Sequence, residues 1–298
     1  MLMRTVLVSV LTAAVAVVVV TAQPGAARPR EAKAFDVTVT GAGRPVILIP
    51  GLSTTGAVWN PTVEHLRARY EVHVLTIAGF GGPAPIGEPF LPRVIEAVAT
   101  YAHALGARPV IVGHSLGGFT AFAAASRAPD AFAGVLAVDG VPFIGALSNP
   151  EATAASLEDQ AAQIKAMYAT MSREQFEMQT RMALAGMITL PADVERAVAW
   201  AAATDSAAAG IAVAEMMTID LRDEVRRITV PVRLIGALGA VPEAMRLTVR
   251  EAYRAQLDGV PQASVVFADH ARHFVMLDDP ASFFAALDGF LEEAAWTR

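Results

Sequence analysis

The stretch Val112-Gly113-His114-Ser115-Leu116-Gly117-Gly118 decides the reading of this chain, because it sets a serine on a turn whose neighbours are nearly all too small to obstruct it. Before it, Arg-Pro-Val-Ile-Val at 108–112 reads as a short buried strand. After it, Phe-Thr-Ala-Phe-Ala-Ala-Ala-Ser-Arg at 119–127 reads as a helix. Ser115 is therefore expected on a strand-to-helix turn. Such a turn is sharp and strained: a Cβ at position 113 or 117 would collide with the neighbouring strand or helix, and the serine hydroxyl is pushed outward. The bland alternative is a glycine-rich turn with an incidental serine, and the strand and helix on either side weigh against it.

Outward from this turn, strands and helices alternate. Residues 35–40 alternate in strand fashion, and Gly41-Ala42-Gly43-Arg44-Pro45 is a turn leading to the apolar run Val46-Ile47-Leu48-Ile49. Helices are expected over 58–70 and 91–105, and strands over 72–77, 110–113 and 134–139. This alternation is the signature of a doubly wound, mostly parallel α/β sheet. From 142 to 227 it stops, and alanine-rich helix formers occupy 151–170, 172–184, 191–204 and 209–220. Strand sequence resumes at 230–235 and 263–268, and a last helix covers about 280–294. The expected organisation is one core built from residues 35–141 and 229–298, with residues 142–228 as an inserted helical cap.

Gly113-His114-Ser115-Leu116-Gly117-Gly118 resembles the nucleophile turn of the serine α/β-hydrolases, of carboxylesterase type, and the resemblance covers most of the chain after residue 35. Pro50-Gly51-Leu52 resembles the loop after that family's third strand. The strand at 72–77 followed by Ala78-Gly79-Phe80-Gly81-Gly82 resembles the next strand and its turn. His273-Phe274-Val275-Met276-Leu277-Asp278-Asp279-Pro280 resembles the segment that delivers the catalytic histidine. The resemblance implies an α/β-hydrolase fold and acyl chemistry in the order serine, acid, histidine.

Among the six histidines, His273 is favoured as the base, since it follows the strand at 265–267 by a short loop and is trailed by the family's apolar run. His270 is its rival. His114 reads as a packing or hydrogen-bonding neighbour, and His65, His73 and His103 lie on element bodies as structural residues. The acid is less plain. Many relatives carry it after the strand at 232–235, but here that loop is Gly236-Ala237-Leu238-Gly239-Ala240-Val241-Pro242, without a carboxylate. Glu243 is the first candidate beyond it, and equally suits a helix N-terminus. Other members place the acid after the preceding strand, where this chain has Asp139-Gly140. Asp139 is preferred, against a turn or cap-anchoring role. Asp269, Asp278 and Asp279 read as loop and helix-start residues. The oxyanion donors implied are the N–H groups of Leu116 and of Leu52, with Ser53 an alternative to Leu52 because Pro50 stands where one version of this loop has histidine.

A serine nucleophile disfavours the epoxide and halide chemistry of relatives that use aspartate. No cofactor or metal is expected: the Gly79 to Gly82 cluster lacks the lysine of a phosphate loop. The absence of cysteine excludes disulfides, thiolate metal sites and lipid attachment through cysteine. A net charge of −6 gives no basic surface for nucleic acid. Cap helices in this family cover the strand ends, so Met167, Met171, Met178, Met182, Met187, Met216 and Met217 are expected either to line an adaptable apolar pocket or to pack the cap.

Residues 1–22 stand apart. Arg4 precedes a valine-rich apolar run at 6–20, and Val20-Thr21-Ala22 offers small residues before a cut ahead of Gln23. This reads as a signal peptide of a periplasmic or secreted protein with no stable membrane insertion after its removal. The alternative is an uncleaved anchor, since about 18 apolar residues can span a bilayer. The leading expectation is thus an exported, cofactor-independent serine hydrolase acting on a small-molecule carboxylic ester. Thioesterase, lactonase, amidase and cofactor-free perhydrolase chemistry remain open, as does a non-catalytic binding protein on the same fold.

Overall fold

The computed structural model describes residues 33–294 and Trp296. The expected signal peptide lies outside the described residues. Among the described residues seven strands form one sheet in the order β1-β3-β2-β4-β5-β6-β7: β1 Phe35–Gly41, β2 Arg44–Ile49, β3 Tyr70–Ile77, β4 Val110–His114, β5 Gly134–Val138, β6 Val232–Ala237 and β7 Ala263–Ala268. Edge strand β1 runs antiparallel to β3. Every other pairing is parallel. Central strands β4 and β5 are buried throughout, which is why they read as continuous apolar runs rather than as alternating ones.

The helices are α1 Asn60–Leu66, α2 Phe90–Ala104, α3 Leu116–Arg127, α4 Gly145–Ser148, α5 Glu158–Ala169, α6 Arg173–Met187, α7 Pro191–Ala201, α8 Ser206–Thr218, α9 Arg246–Ala255, α10 Val275–Asp278 and α11 Pro280–Glu293. The two-residue period of β2 divides the core in two. Ile47 and Ile49 join an apolar cluster with Phe90 and Val94 of α2 and Phe119 and Phe122 of α3. Val46 and Leu48 join another with Leu66 of α1 and Phe283, Leu287 and Phe290 of α11. The sheet is therefore covered by helices on both faces.

The chain winds from β2 to β3 on one side and returns to β4 on the other side of β2. This reversal opens a crevice at the carboxyl ends of β2 and β4, the position where open α/β sheets bind ligands. Parallel pairing brings Ile49 opposite Gly113, His114 opposite Val138 and Val138 opposite Ile235. The loops that follow β2, β4, β5 and β6 thus leave the sheet along one edge.

Between β5 and β6 the described residues contain α4 to α8 and no strand. Here α5 packs on α8, α6 packs on α7, and α8 reaches α2. Two expected helices are shorter than their sequence pattern. The helix expected over 58–70 is a 3-10 turn at Gly56–Trp59 followed by α1, because Tyr70 enters the sheet opposite Arg44. The helix expected from 151 begins at Glu158. Ahead of it, Thr153 and Ser156 exchange side chain to backbone hydrogen bonds, N–H to Oγ at 3.0 and 3.1 Å, that hold a turn instead of a helix. Among the described residues no helix is long and apolar enough to cross a membrane.

Candidate active site

Ser115 closes β4 and opens α3. Its N–H donates to Val138 O at 2.9 Å, as a strand residue's would, while its carbonyl accepts Phe119 N–H at 3.0 Å, as a helix residue's would. Both demands are met only at φ 54° and ψ −119°, a sparsely populated conformation that costs about 1–3 kcal/mol and persists when its surroundings over-determine it. They do so here by close approach: a Cβ on Gly113 would strike the backbone of Gly117, and one on Gly117 would strike the carbonyls of Ile49 and Pro50.

One strand over, Asp139 follows β5 at φ 48°, its N–H bonded to Ile235 O at 2.8 Å. Its largely buried carboxylate accepts three hydrogen bonds. Oδ2 accepts His273 Nδ1–H at 2.6 Å. Oδ1 accepts the Ala237 N–H at 2.9 Å and the Tyr253 hydroxyl at 2.5 Å. These charge-assisted bonds offset the removal of the carboxylate from water. Burial, then the nearby Asp139 charge, pushes the Tyr253 phenol well above its usual range, so it stays protonated and serves as a donor.

His273 sits between β7 and α10, and its loop is fastened on two sides. Its carbonyl accepts His114 Nε2–H at 3.1 Å. On the other side, Arg272 N–H donates to Asp278 Oδ2 at 2.8 Å, and the Arg272 guanidinium donates to Ala185 O and Ile188 O at 3.0 and 3.2 Å. Asp278 also accepts the N–H and hydroxyl of Thr189 at 2.9 and 2.8 Å, tying this loop to the C-terminal end of α6.

His114 is buried, with its ring 4.7 Å from that of His273 and 4.5 Å from that of Phe274. Because a carbonyl can only accept, Nε2 must carry the proton, and Nδ1 is a lone pair with no partner among the described residues. Burial first, and the adjacent His273 second, hold His114 well below the usual histidine range. A second positive charge is thereby kept away from His273.

Ser115, Asp139 and His273 line one cavity of about 380 Å³, together with Gly51, Leu52 and Ser53. Phe176, Gln179, Thr180, Ala183, Leu184 and Met187 also line it. Their spacing of three and four residues makes them a single face of α6. The Ser115 hydroxyl and His273 are not hydrogen-bonded to each other among the described residues; such contacts commonly close only when substrate arrives. The N–H of Leu116, first residue of α3, has no acceptor within its helix. Leu52 and Ser53 both line the cavity; Thr54 Oγ holds Leu52 O at 3.0 Å, and Ser53 lies at φ 53°.

The other candidates lie elsewhere. Glu243 is exposed and paired with Arg246 at 3.1 Å, in a surface cleft with Asp269 and His270. His65 bonds Asp288, and His73 bonds Tyr101 and Glu71. The methionines divide: Met187 and Met216 line the Ser115 cavity, Met167, Met171, Met178 and Met182 line a separate open groove, and Met217 is buried against Ala161 and Ala214. A further cavity of about 490 Å³ shares Phe176 and Thr180 with the first but contains none of Ser115, Asp139 and His273. The sequence reading missed Tyr253, the Ala237 N–H and the tie through Asp278. Tyr253 had one signal, as the sole aromatic in a helix with four charged residues among its ten.

Residues 46–287 match the model of the alpha/beta hydrolase family. The chain belongs to the alpha/beta hydrolase family. This alpha/beta hydrolase is 28% identical over 256 residues to the pimeloyl-[acyl-carrier protein] methyl ester esterase of Aliivibrio salmonicida, covering 85% of this chain and 94% of the relative. Its fold is similar to that of a thermophilic esterase from Thermogutta terrifontis, with TM-score 0.71, 19% identity and 88% and 94% of the two chains covered. It is also similar to that of the enol-lactonase from Burkholderia xenovorans LB400, with TM-score 0.69, 21% identity and 87% and 96% covered.

Proposed function

We propose that this alpha/beta hydrolase is a serine carboxylesterase that cleaves small acyl esters through an acyl-Ser115 intermediate. One observation carries the reading: the 2.6 Å bond from His273 Nδ1 to Asp139 Oδ2, in a cavity that Ser115 also lines. With Nδ1–H given to Asp139, the Nε2 lone pair is the basic atom of His273. It takes the Ser115 proton as Oγ attacks the ester carbonyl, and the bond to Asp139 stabilises the imidazolium that forms. The negative carbonyl oxygen is received by the N–H groups of Leu116 and of Leu52 or Ser53, each donor contributing about 3 kcal/mol. As the tetrahedral intermediate collapses, His273 returns the proton to the departing alcohol. Water, deprotonated by the same His273, then attacks the acyl-serine, and a second collapse releases the acid and restores the Ser115 hydroxyl.

The curated relative is named for a methyl ester of an acyl chain. What is carried over to this chain is the class, a carboxylic ester. The mostly apolar lining contributed by Phe119, Val141, Ile144, Leu147 and Leu184 supports an apolar acyl or alcohol group. The α6 face over the cavity supports reading residues 142–228 as a cap on a core of residues 35–141 and 229–298. The composition of residues 1–22 supports export to the periplasm or beyond.

Hydrolysis of p-nitrophenyl butyrate by residues 23–298, compared with Ser115→Ala, tests the reading. Turnover in the parent falling by about 10⁴-fold or more in the variant is expected. Equal, negligible rates, with no labelling of Ser115 by a serine-reactive phosphonate, would overturn it in favour of a non-catalytic fold.

A further inference from the structure

We infer that Tyr253 is a positioning residue of the catalytic centre: from α9 it holds the Asp139 carboxylate in place and sets how strongly that carboxylate grips His273. The inference rests on the serine-hydrolase reading above. It begins with an absence in the sequence: the loop after β6 carries no carboxylate, and Asp139 arrives from β5 instead. What the β6 end supplies is a donor, the Ala237 N–H at 2.9 Å from Asp139 Oδ1, and what α9 supplies beside it is the Tyr253 hydroxyl at 2.5 Å. The acid is therefore held by groups from two elements it does not belong to.

The hold has a second point. Gln256, three residues on, is buried and clamps the loop that follows Asp139, its Oε1 accepting Phe143 N–H and its Nε2–H donating to Phe143 O, both at 2.9 Å. The end of α9 thus fixes the Asp139 side chain and the backbone four residues beyond it. Tyr253 itself is buried, with its ring edge-on to Phe267 at 6.0 Å, so the hydroxyl has little freedom. A carboxylate at φ 48° is a strained acid that needs such a frame.

The electrostatic consequence follows from the geometry. A donor on Oδ1 draws negative charge away from Oδ2, the atom that faces His273. Without it, Asp139 holds the imidazolium more tightly and is also freer to rotate away from its working orientation. The titratable and charged neighbours of His273 are Asp139 from β5 and His114 from β4, with Arg272 and Asp278 at the base of its own loop. The α6 residues that line the same cavity include Thr180, Leu184 and Met187, none of which titrates, and from α9 Tyr253 acts through Asp139. Tyr253→Phe leaves all of these charges in place.

The test compares the parent with Tyr253→Phe, and with a variant carrying 3-fluorotyrosine at 253, whose more acidic phenol is a stronger donor. For Tyr253→Phe the expected result is a kcat for p-nitrophenyl butyrate lowered about tenfold with KM within about twofold. The acid limb of its kcat/KM profile should move up by about half a pH unit or more, and in the fluorotyrosine protein it should move down. A folded Tyr253→Phe with the parent's kcat and acid limb would overturn the inference and leave Tyr253 a packing residue. Should Tyr253→Phe not fold, an unmoved limb in the fluorotyrosine protein would overturn it equally. If the parent hydrolyses no ester, the functional reading fails on its own; nuclear magnetic resonance titration of His273 in the same proteins then decides the inference without turnover.

Discussion

The residue beside Ser115, His114, shows how burial of one ring shapes both its surroundings and stability. Folded, it is fully enclosed, has one hydrogen bond and is held well below its ordinary value of 6.5, chiefly by burial. Unfolded, it takes up a proton near that value. Below about pH 6.5 the unfolded chain therefore binds a proton that the folded chain refuses, and stability falls as pH falls, by up to about 1.4 kcal/mol per pH unit for this one group. Urea unfolding at pH 7.5 and pH 5 should show the loss in the parent and a loss smaller by about 1–2 kcal/mol in His114→Gln, which keeps an N–H for the His273 carbonyl. Equal losses in both proteins would assign the pH dependence to other groups. The same residue marks the reach of sequence reading. Ser115 and its glycines were legible because the strain of the turn is local, within four residues. Neither the lone pair of His114 nor the grip of Tyr253 was legible, because each depends on a partner more than a hundred positions away.

At the scale of elements, the alternation of strands and helices was readable from hydrophobic period, and all seven strands fall close to where the apolar runs put them. Helix starts were less readable, since they depend on what satisfies the first N–H groups, and those acceptors need not be local. Helix α2 is the plainest case. Pro89 at its N-cap offers no side-chain acceptor, and Glu215 on α8 supplies one from 124 and 125 positions away, accepting Phe90 N–H at 2.8 Å and Leu91 N–H at 2.5 Å. Glu215→Ala should cost about 1–2 kcal/mol, read as a lower urea midpoint. Its kcat should stay at the parent value, because Glu215 does not line the Ser115 cavity. Asp278 is the contrasting tie, since it joins the His273 loop to the end of α6. Asp278→Ala should lower kcat/KM about tenfold, by loosening His273 and the cavity wall together. A variant with lowered stability and unchanged kcat/KM would mean that the other fastenings of the loop suffice.

For the whole molecule, the sheet acts as a frame that delivers Leu52, Ser115, Asp139 and His273 from the ends of β2, β4, β5 and β7, four separated parts of the chain, to one edge. The parallel order was implied by the alternation of elements, and the sheet edge followed from it. Which carboxylate meets His273 did not, because two strands could have carried it, and Asp139 is the one held by the Ala237 N–H and Tyr253 hydroxyl. Every residue given a role in the chemistry lies at position 51 or beyond, and residues 1–22 carry none of them. Their positive start, apolar middle and small-residue exit are the features on which the proposed export rests. Expressed as the full chain in an exporting bacterium, the protein is expected to accumulate in the periplasm or medium with Gln23 as its first residue. Its kcat and thermal midpoint should match those of residues 23–298 produced directly. Mass spectrometry of the fractionated protein checks this: an intact chain retained with the membranes would mean that the apolar run is an anchor, and that the protein works tethered to a bilayer surface.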